Sequence, residues 1–99
     1  MKLGILLTTD PTHENTNTVL NLSQTAREAG IDVAIFLMHN GVYNLTHSLF
    51  MELANAGVEI SLCAHNAGQR GVGKVDKVLF GSQYDLAQIV HECDRFLSF

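Results

Sequence analysis

A cysteine occupies the position in this chain where a reactive side chain would be well placed. Cys63 ends a short apolar segment that begins at Val58, and small and polar residues follow it as far as Arg70-Gly71. If the segment is a strand of an open α/β sheet, its carboxyl end is where ligands and chemistry gather, and we expect the thiol there to be half-exposed. Amide groups of a helix beginning at Ala64, together with the Arg70 guanidinium, would favour the thiolate and lower the pKa of the thiol. Because the thiolate is the form that attacks, Cys63 is the candidate catalytic residue; the alternative is a buried strand residue that only packs.

The neighbouring histidine and the second cysteine are weaker candidates. His65 could supply positive charge or carry a proton near neutral pH, although an exposed loop histidine would look the same. Cys63 and His65 could hold a metal ion only if separate loops converged, so the sequence predicts no metal site. Cys93 lies on the apolar stripe of the last predicted helix, where a free cysteine usually behaves as a small apolar residue. The absence of a Cys-x-x-Cys pair excludes a thioredoxin-type redox centre.

Apolar periodicity and turn residues predict an alternation of strands and helices that would position these side chains. The junctions at residues 29–33 and 56–60 share the order helix, glycine, apolar residue, acid, strand, which is typical of parallel strands in a wound sheet. We therefore expect an α/β fold: a three-layer α/β/α sandwich with a mainly parallel five-stranded sheet, formed by residues 1–99 as a single domain. The predicted strands are 2–8, 32–38, 58–63, 76–80 and 95–99, and the predicted helices end near 29, span 47–56 and begin at the Ser82–Asp85 capping box.

Each predicted helix has a set of side chains expected to face the sheet, and a turn at His39-Asn40-Gly41 precedes the second helix. The expected inward residues are Val19, Leu22, Ala26 and Ala29 in the first helix, Leu49, Phe50, Leu53, Ala54 and Ala56 in the second, and Leu86, Ile89, Val90 and Cys93 in the last. An apolar content of 46%, with four aromatic residues left to bury between copies, favours an oligomer. Those aromatic residues are Phe36, Tyr43, Phe50 and Phe99.

Composition and charge exclude several classes of function. The net charge of −4, with six lysines and arginines scattered singly, argues against binding to nucleic acid or to an anionic membrane. No apolar run approaches the ~18 residues that a membrane span needs, and the N-terminal apolar segment is too short for a signal peptide. We therefore expect a cytoplasmic protein whose thiols stay reduced, with no nucleic acid and no membrane among its partners.

The loop between the first strand and the first helix suggests a different kind of site. Residues 8–18 are rich in threonine and asparagine, which could hold a phosphate at a helix N-terminus, as in flavodoxin-like proteins. The loop has no glycine that would allow a close backbone approach, and Asp10 and Glu14 would repel a phosphate. Capping of the helix is the alternative role of these side chains.

The order and spacing of three segments resemble the DsrE-like family (DsrE/F, TusD and YchN). Cys63-x6-Arg70-Gly71-Val72 resembles its cysteine segment, in which a strand-end cysteine precedes small residues and Arg-Gly. Residues 36–43 resemble its aromatic second strand and the Gly-Val turn that follows, and residues 86–99 resemble its last helix and strand. The likeness covers nearly the full length of the chain.

The resemblance implies a five-stranded, mainly parallel sheet assembled into homotrimers or homohexamers. It also implies that Cys63 takes a persulfide sulfur from a protein donor and passes it to a protein acceptor, without a cofactor. Arg70 and loop amides would steady the anion, with His65 and Asn66 beside it and His39-Asn40-Gly41 as a pocket wall. The alternatives are a non-catalytic oligomeric binding or assembly module of the same fold and a flavodoxin-like binder of a small ligand. No motif in the chain identifies the donor or the acceptor.

Overall fold

The computed structural model describes residues 1–99, which form five strands, four α-helices and one 3₁₀ helix, η1. Their order is β1 (Lys2–Leu7), α1 (Asn15–Glu28), β2 (Asp32–Leu37), η1 (His39–Thr46), α2 (Ser48–Asn55), β3 (Glu59–Cys63), α3 (Ala64–Gln69), β4 (Val78–Gly81), α4 (Gln83–Glu92) and β5 (Arg95–Ser98). The predicted alternation of strands and helices is therefore confirmed. None of these helices has the length and apolar character that crossing a bilayer requires.

The sheet has the order β4-β3-β2-β1-β5, and all four neighbouring pairs of strands run parallel. A helix lies in each crossover between successive strands, as parallel pairing requires. The predicted α/β/α sandwich with a mainly parallel five-stranded sheet is thus confirmed. Leu7 pairs with Leu37, Leu37 pairs with Leu62, and Cys63 pairs with Gly81. The carboxyl ends of β1 to β4 therefore lie along one edge of the sheet.

One face of the sheet carries most of the apolar core, and α1 and α2 cover it. Phe50 and Leu53, three positions apart in α2, are fully buried against this face, as is Val19 of α1. The strand residues follow the two-residue period of a β-strand, so that alternate side chains point to the same side. The strand residues of this face are Ile5, Leu7, Val33, Ile35, Leu37, Ile60 and Leu62.

The opposite face is covered by α4 alone. Gly4 of β1 allows this helix to pack closely, since a side chain there would lie 2.9 Å from Ile89 and 3.2 Å from Cys93 Sγ. The main contacts of α4 with the sheet are to β1 and β2, and none of its residues is buried. The part of this face that belongs to β3 and β4 stays open, with Leu79 56% exposed. A cavity of about 510 Å³ lies there, between α4 and the two strands.

Several residues expected to face the sheet are exposed instead. Leu49 is 62% exposed, because the buried side of α2 is defined by Phe50 and Leu53 and Leu49 lies outside it. Ala29 and Ala56 are exposed because each follows the last residue of its helix as the C-cap. The predicted inward faces of α1 and α2 therefore each include one residue beyond the end of the helix.

The last helix also buries less than its apolar stripe predicted. Val90 is 48% exposed. Cys93 follows the end of α4 and is half-buried, and its Sγ donates to the carbonyl of Val90 at 3.5 Å. A helix that is alone on its face has no neighbouring helix to cover its flank, so only a narrow strip of it is shielded.

Two differences from the predicted elements exceed a single residue at a boundary. β4 begins at Val78 rather than at Asp76, because Asp76 and Lys77 form a turn in which Lys77 has φ of 69°. The turn predicted at His39-Asn40-Gly41 is the start of η1, which continues to Thr46.

Two of the aromatic residues that were expected to need burial between copies are buried within the chain. Phe36 and Phe50 are 0% exposed, while Tyr43 and Phe99 are half-buried. Phe36 and Phe50 therefore leave no apolar surface for an interface, and that part of the argument for an oligomer is wrong.

Gly41 occupies a position where the fold requires the absence of a side chain. A Cβ atom there would overlap the carbonyl group of Leu7 at the end of β1, whereas Gly68 in α3 has open space around its Cβ position. We expect Gly41→Ala to lower the free energy of unfolding by about 1–3 kcal/mol through overpacking. Gly68→Ala should be neutral or should raise it by ~0.5–1 kcal/mol, because alanine favours the helix. Urea unfolding of both variants tests this, and equal stabilities would contradict it.

Candidate functional site

Cys63 lies at the carboxyl end of β3, between the neighbouring strands β2 and β4, and α3 begins at the next residue as predicted. Its Sγ accepts the backbone N–H of Asn66 at 3.5 Å, so the sulfur caps the first turn of α3. Only 7% of the residue is exposed. The expected half-exposed thiol is therefore wrong, because a residue of an internal strand is enclosed by the strands on both sides.

Asn66 makes several of the hydrogen bonds around this cysteine. Its backbone N–H donates to Cys63 Sγ, and its Oδ1 accepts the backbone N–H of His39 at 2.9 Å. Its carbonyl accepts Arg70 Nη1 at 3.5 Å, and its Nδ2 donates to Gln69 Oε1 at 3.3 Å. The bond to His39 links α3 to the segment that follows β2, and it satisfies the amide of a residue with φ of 52°, which is uncommon outside glycine. One asparagine side chain therefore positions both loops.

Arg70 is held by amide groups rather than by the sulfur. Its Nε donates to Asn40 Oδ1 at 2.9 Å, and its Nη1 lies 3.5 Å from both the Asn66 carbonyl and Gln69 Oε1. No hydrogen bond joins the guanidinium to Cys63; its bonds go to Asn40, Asn66 and Gln69. Arg70 instead forms a second link between α3 and η1.

The predicted site residues divide into two groups. The hydrogen-bonded group at the end of β3 contains Cys63, Asn66, Arg70, His39 and Asn40. His65 stands apart from it, because its side chain is exposed and makes no hydrogen bond. Gly41 is buried against Leu7, so the close approach of the Leu7 carbonyl, rather than a surface contact, accounts for this glycine.

Two further contacts near Cys63 come from β4 and α4. The Asp85 carboxylate lies directly over Gly81, the residue paired with Cys63, and accepts the N–H of Ser82 at 2.8 Å as part of the predicted capping box. Gln83 Nε2 lies 3.1 Å from Met38 Sδ, which joins the start of α4 to the end of β2. The capping box is predictable from the local sequence. The strand order that places it beside Cys63 is not indicated by any local sequence pattern.

A buried polar network secures the loop after β1. Asn44 is fully buried; its Oδ1 accepts the Thr16 hydroxyl at 2.7 Å, and its Nδ2 donates to the carbonyls of Thr9 and Gly41 at 2.9 and 2.8 Å. Asn44 was not identified from the sequence, because a single asparagine in a predicted loop carries no signal for burial.

The loop threonines do not cap α1 as the sequence suggested. The N-cap residue is Glu14, which makes no side-chain capping bond, and His13 Nδ1 accepts the backbone N–H of Asn15 at 3.1 Å. The hydroxyl and the backbone N–H of Thr12 both donate to Asp10 Oδ1. These two bonds hold the pKa of the Asp10 carboxyl below its ordinary value. The loop that the sequence suggested as a phosphate site therefore keeps a negative charge.

We expect Thr12→Val to raise the pKa of Asp10 toward its ordinary value, because the variant lacks the hydroxyl donor. A carboxyl with a lowered pKa stabilises the folded chain at pH values above its ordinary pKa, and this stabilisation is lost as the pH falls through the lowered value. The stability difference from wild type should therefore be present at neutral pH and disappear in acid. NMR titration of the Asp10 carboxyl carbon measures the shift, with Thr18→Val as control; an unchanged titration in Thr12→Val would refute the assignment.

The site is an edge of the protein surface rather than a pocket. The three cavities of the chain are lined by other residues, and none includes Cys63. No group of three histidine, cysteine or acidic side chains lies close enough together to hold a metal ion.

These features define a class of protein with a parallel α/β/α fold and a cysteine at the carboxyl end of an internal strand that leads directly into a helix. The profile of the DsrE/DsrF-like family matches residues 1–99, and the chain belongs to that family. The predicted family membership is therefore confirmed. No curated protein matches the chain.

Two solved structures have the same fold. The YchN protein from E. coli is 25% identical, with a TM-score of 0.83 over 100% of this chain and 99% of that chain. BT1422 from Bacteroides thetaiotaomicron, a conserved protein of unknown function, is 18% identical, with a TM-score of 0.79 over 99% of this chain and 94% of that chain. The second likeness concerns the fold alone.

Replacing Asn66 should make Cys63 more accessible. Asn66→Ala removes the acceptor of the His39 N–H, and a loss of about 1 kcal/mol would raise the population of locally open chains about fivefold. We expect the rate of Cys63 alkylation by iodoacetamide to rise by about that factor. The measurement uses a Cys93→Ser background, so that only Cys63 reacts, and Gln69→Ala is the matched control because it removes only exposed contacts. Equal rates in the two variants would refute the role assigned to Asn66.

Proposed function

We propose that this protein transfers sulfur in a persulfide relay and that Cys63 is the carrying residue. The observation that carries the proposal is a strand-end thiol whose Sγ receives the N–H of Asn66 at 3.5 Å. An N–H group directed at sulfur steadies the negative charge of a thiolate or a persulfide. Membership of the DsrE/DsrF-like family supports the same chemistry, since that family is generally associated with sulfur relay.

The proposed reaction consists of two thiol exchanges. The Cys63 thiolate attacks the outer sulfur of a donor persulfide, the donor S–S bond breaks, and the donor leaves as a thiolate. The outer sulfur of the resulting Cys63 persulfide is then attacked by an acceptor thiolate, which restores the Cys63 thiolate. Each step forms one S–S bond and breaks another, so the relay consumes no oxidant, no reductant and no cofactor.

The burial of Cys63 makes access part of the proposed mechanism. With 7% of the residue exposed, a donor sulfur reaches it only when the loop held by Asn66 moves aside. The exposed side chains of His39, Asn40 and His65 surround this edge and form the surface on which a partner would dock, with Arg70 fixed among them.

The partners that fit this edge are proteins. A small-molecule donor would be expected to bind in a cavity beside Cys63, and none of the chain's cavities includes Cys63. We therefore propose a protein donor and a protein acceptor, each presenting a cysteine on its surface, and an assembly of this chain into a homotrimer or homohexamer. We also place the protein in the cytoplasm, because both of its cysteines are free and the relay needs reduced thiols.

Replacing the two cysteines separately tests the relay. After incubation with a persulfide donor, mass spectrometry of the intact wild-type chain should detect the addition of one sulfur atom that a reductant removes. Cys63→Ser should abolish this addition, and Cys93→Ser should retain it, because the Cys93 thiol bonds to its own helix and lies outside the site. Sulfur addition that persists in Cys63→Ser would refute the proposal.

A non-catalytic assembly module is the second candidate, and the burial of Cys63 favours it. In this case the cysteine only packs and caps α3, a role that serine can also fill, since serine is a good N-cap residue. Cys63→Ser would then keep the oligomeric state, the partner binding and the cellular phenotype of the wild type. Loss of the phenotype in a folded Cys63→Ser protein would exclude this candidate.

A further inference from the structure

We propose that the edge around Cys63 binds an acidic segment of a protein partner, and that Arg70 receives a carboxylate of that segment. The charge preference of this edge stands on the distribution of charged side chains and on the bonds of Arg70. The partner's role as sulfur donor or acceptor rests on the proposed function.

Charged side chains are distributed unevenly along this chain. The chain has ten Asp and Glu residues, yet residues 33–51 and 60–75 contain none of them. These segments include η1 and α3 and, apart from the first residue of each strand, β2 and β3. Their only residues with a full charge are Arg70 and Lys74. The net charge of −4 is therefore not shared by the elements that follow and flank the strand of Cys63.

Half of the acidic residues lie at the opposite edge of the sheet, where the strands begin. Glu28 and Glu92 end helices, Asp32 and Glu59 begin strands, and Asp94 directly precedes β5. The same edge holds the ion pairs of Lys2 and Arg27. The two edges of the sheet thus differ in charge, and the edge with the sulfur is the less negative one.

Three acidic residues lie nearer to the edge of the sulfur, and none of them neutralises Arg70. They are Asp10 and Glu14, between β1 and α1, and Asp85 in the first turn of α4. Asp10 and Asp85 accept backbone N–H groups of their own loops. No ion pair joins any of the three to Arg70.

Arg70 is half-buried and has a fixed orientation with an uncompensated charge. Its Nε donates to Asn40 Oδ1 at 2.9 Å, and its Nη1 lies 3.5 Å from the Asn66 carbonyl and from Gln69 Oε1. All three acceptors are neutral, whereas Arg27 forms an ion pair with a carboxylate. The Nη2 atom makes no hydrogen bond within the chain. A guanidinium held in this way is prepared for a carboxylate from outside.

The position of Arg70 connects this charge to the sulfur. Asn66 contacts both groups, since its N–H donates to Cys63 Sγ and its carbonyl accepts Arg70 Nη1. A free small anion would be expected to bind in a cavity, and none of the cavities includes Cys63 or Arg70. Two full positive charges are too few for a nucleic-acid backbone, whose binding needs several phosphate contacts. The occupant that fits is a peptide segment with acidic residues beside its own cysteine.

Peptides of opposite charge test this preference without any persulfide. Each short peptide has one cysteine, activated as a pyridyl disulfide and flanked by glutamates, glutamines or lysines. The Cys63 thiolate attacks the peptide sulfur, the S–S bond breaks, and the pyridinethiolate leaves and takes up a proton to become neutral thiopyridone, whose absorbance gives the rate. In a Cys93→Ser background, we expect the glutamate peptide to react about tenfold faster than the lysine peptide at low ionic strength. The ratio should fall toward one in ~1 M salt, where charges are screened within ~3 Å.

Two arginine variants separate the role of Arg70 from the net charge of the chain. Arg70→Gln should lower the ratio of the glutamate rate to the lysine rate several-fold. The ratio is the readout because loss of the bond to Asn40 loosens the edge and speeds all peptides alike. Arg95→Gln is the matched control, since it removes the same charge from an exposed residue at the opposite edge and should leave the ratio unchanged.

Each other outcome counts against the proposal. Equal rates for the glutamate and lysine peptides, or no reaction with any peptide, would overturn it, and an unchanged ratio in Arg70→Gln would overturn the assignment to Arg70. If inorganic phosphate slows the glutamate peptide far more than sodium chloride of equal ionic strength, the position belongs to a free anion and not to a protein segment. Failure of Cys63 to accept sulfur would defeat the relay, while the peptide rates would still decide the charge preference.

Discussion

The position of Cys63 depends on the parallel pairing of β3 with β2 on one side and β4 on the other. The register that pairs Leu62 with Leu37 also pairs Cys63 with Gly81, so the strand ends and the loops after them lie at one edge. A shift of this register by one residue would turn the Cys63 side chain to the other face of the sheet, the one that carries most of the apolar core. The large apolar residues of β2 and β3 fix the register, and the position of the sulfur follows from core packing.

The same internal position creates a conflict between precise placement and access. An internal strand encloses Cys63 almost completely, whereas the proposed sulfur exchange requires an incoming sulfur to reach it. The elements beside it are joined by few bonds: one from the His39 amide to Asn66 and one from Arg70 to Asn40. Both are side-chain bonds in exposed surroundings, so opening this edge leaves the strands and their core intact. The cysteine is thus fixed by the sheet, while the loops beside it are joined by few side-chain hydrogen bonds.

The sequence predicted the parts of the structure that depend on local chemistry. Glycine after each of the first two α-helices, alternating apolar strands and the capping box at Ser82 are signals within a few residues, and the elements they predicted are present. The errors lie where distant segments meet. Arg70 was placed near Cys63 by spacing along the chain, but the bond it forms with Asn40 depends on how η1 folds after β2. The predicted inward face of α2 was wrong at Leu49, because the spacing of apolar residues alone does not fix how the helix is rotated against the sheet.

The two faces of the sheet are covered unequally. α1 and α2 cover one face, and α4 covers only the β1 and β2 part of the other. At the amino end of the open part, Lys2 lies between Glu59 and Glu92, at 3.3 and 3.8 Å, and these exposed ion pairs tolerate water and contribute little to stability. Farther along the same face, Leu79 has no such polar cover, so exposure there costs free energy that another protein surface would recover. Because Cys63 pairs with Gly81 at the end of β4, the open part of this face extends to the two strand ends that flank the sulfur.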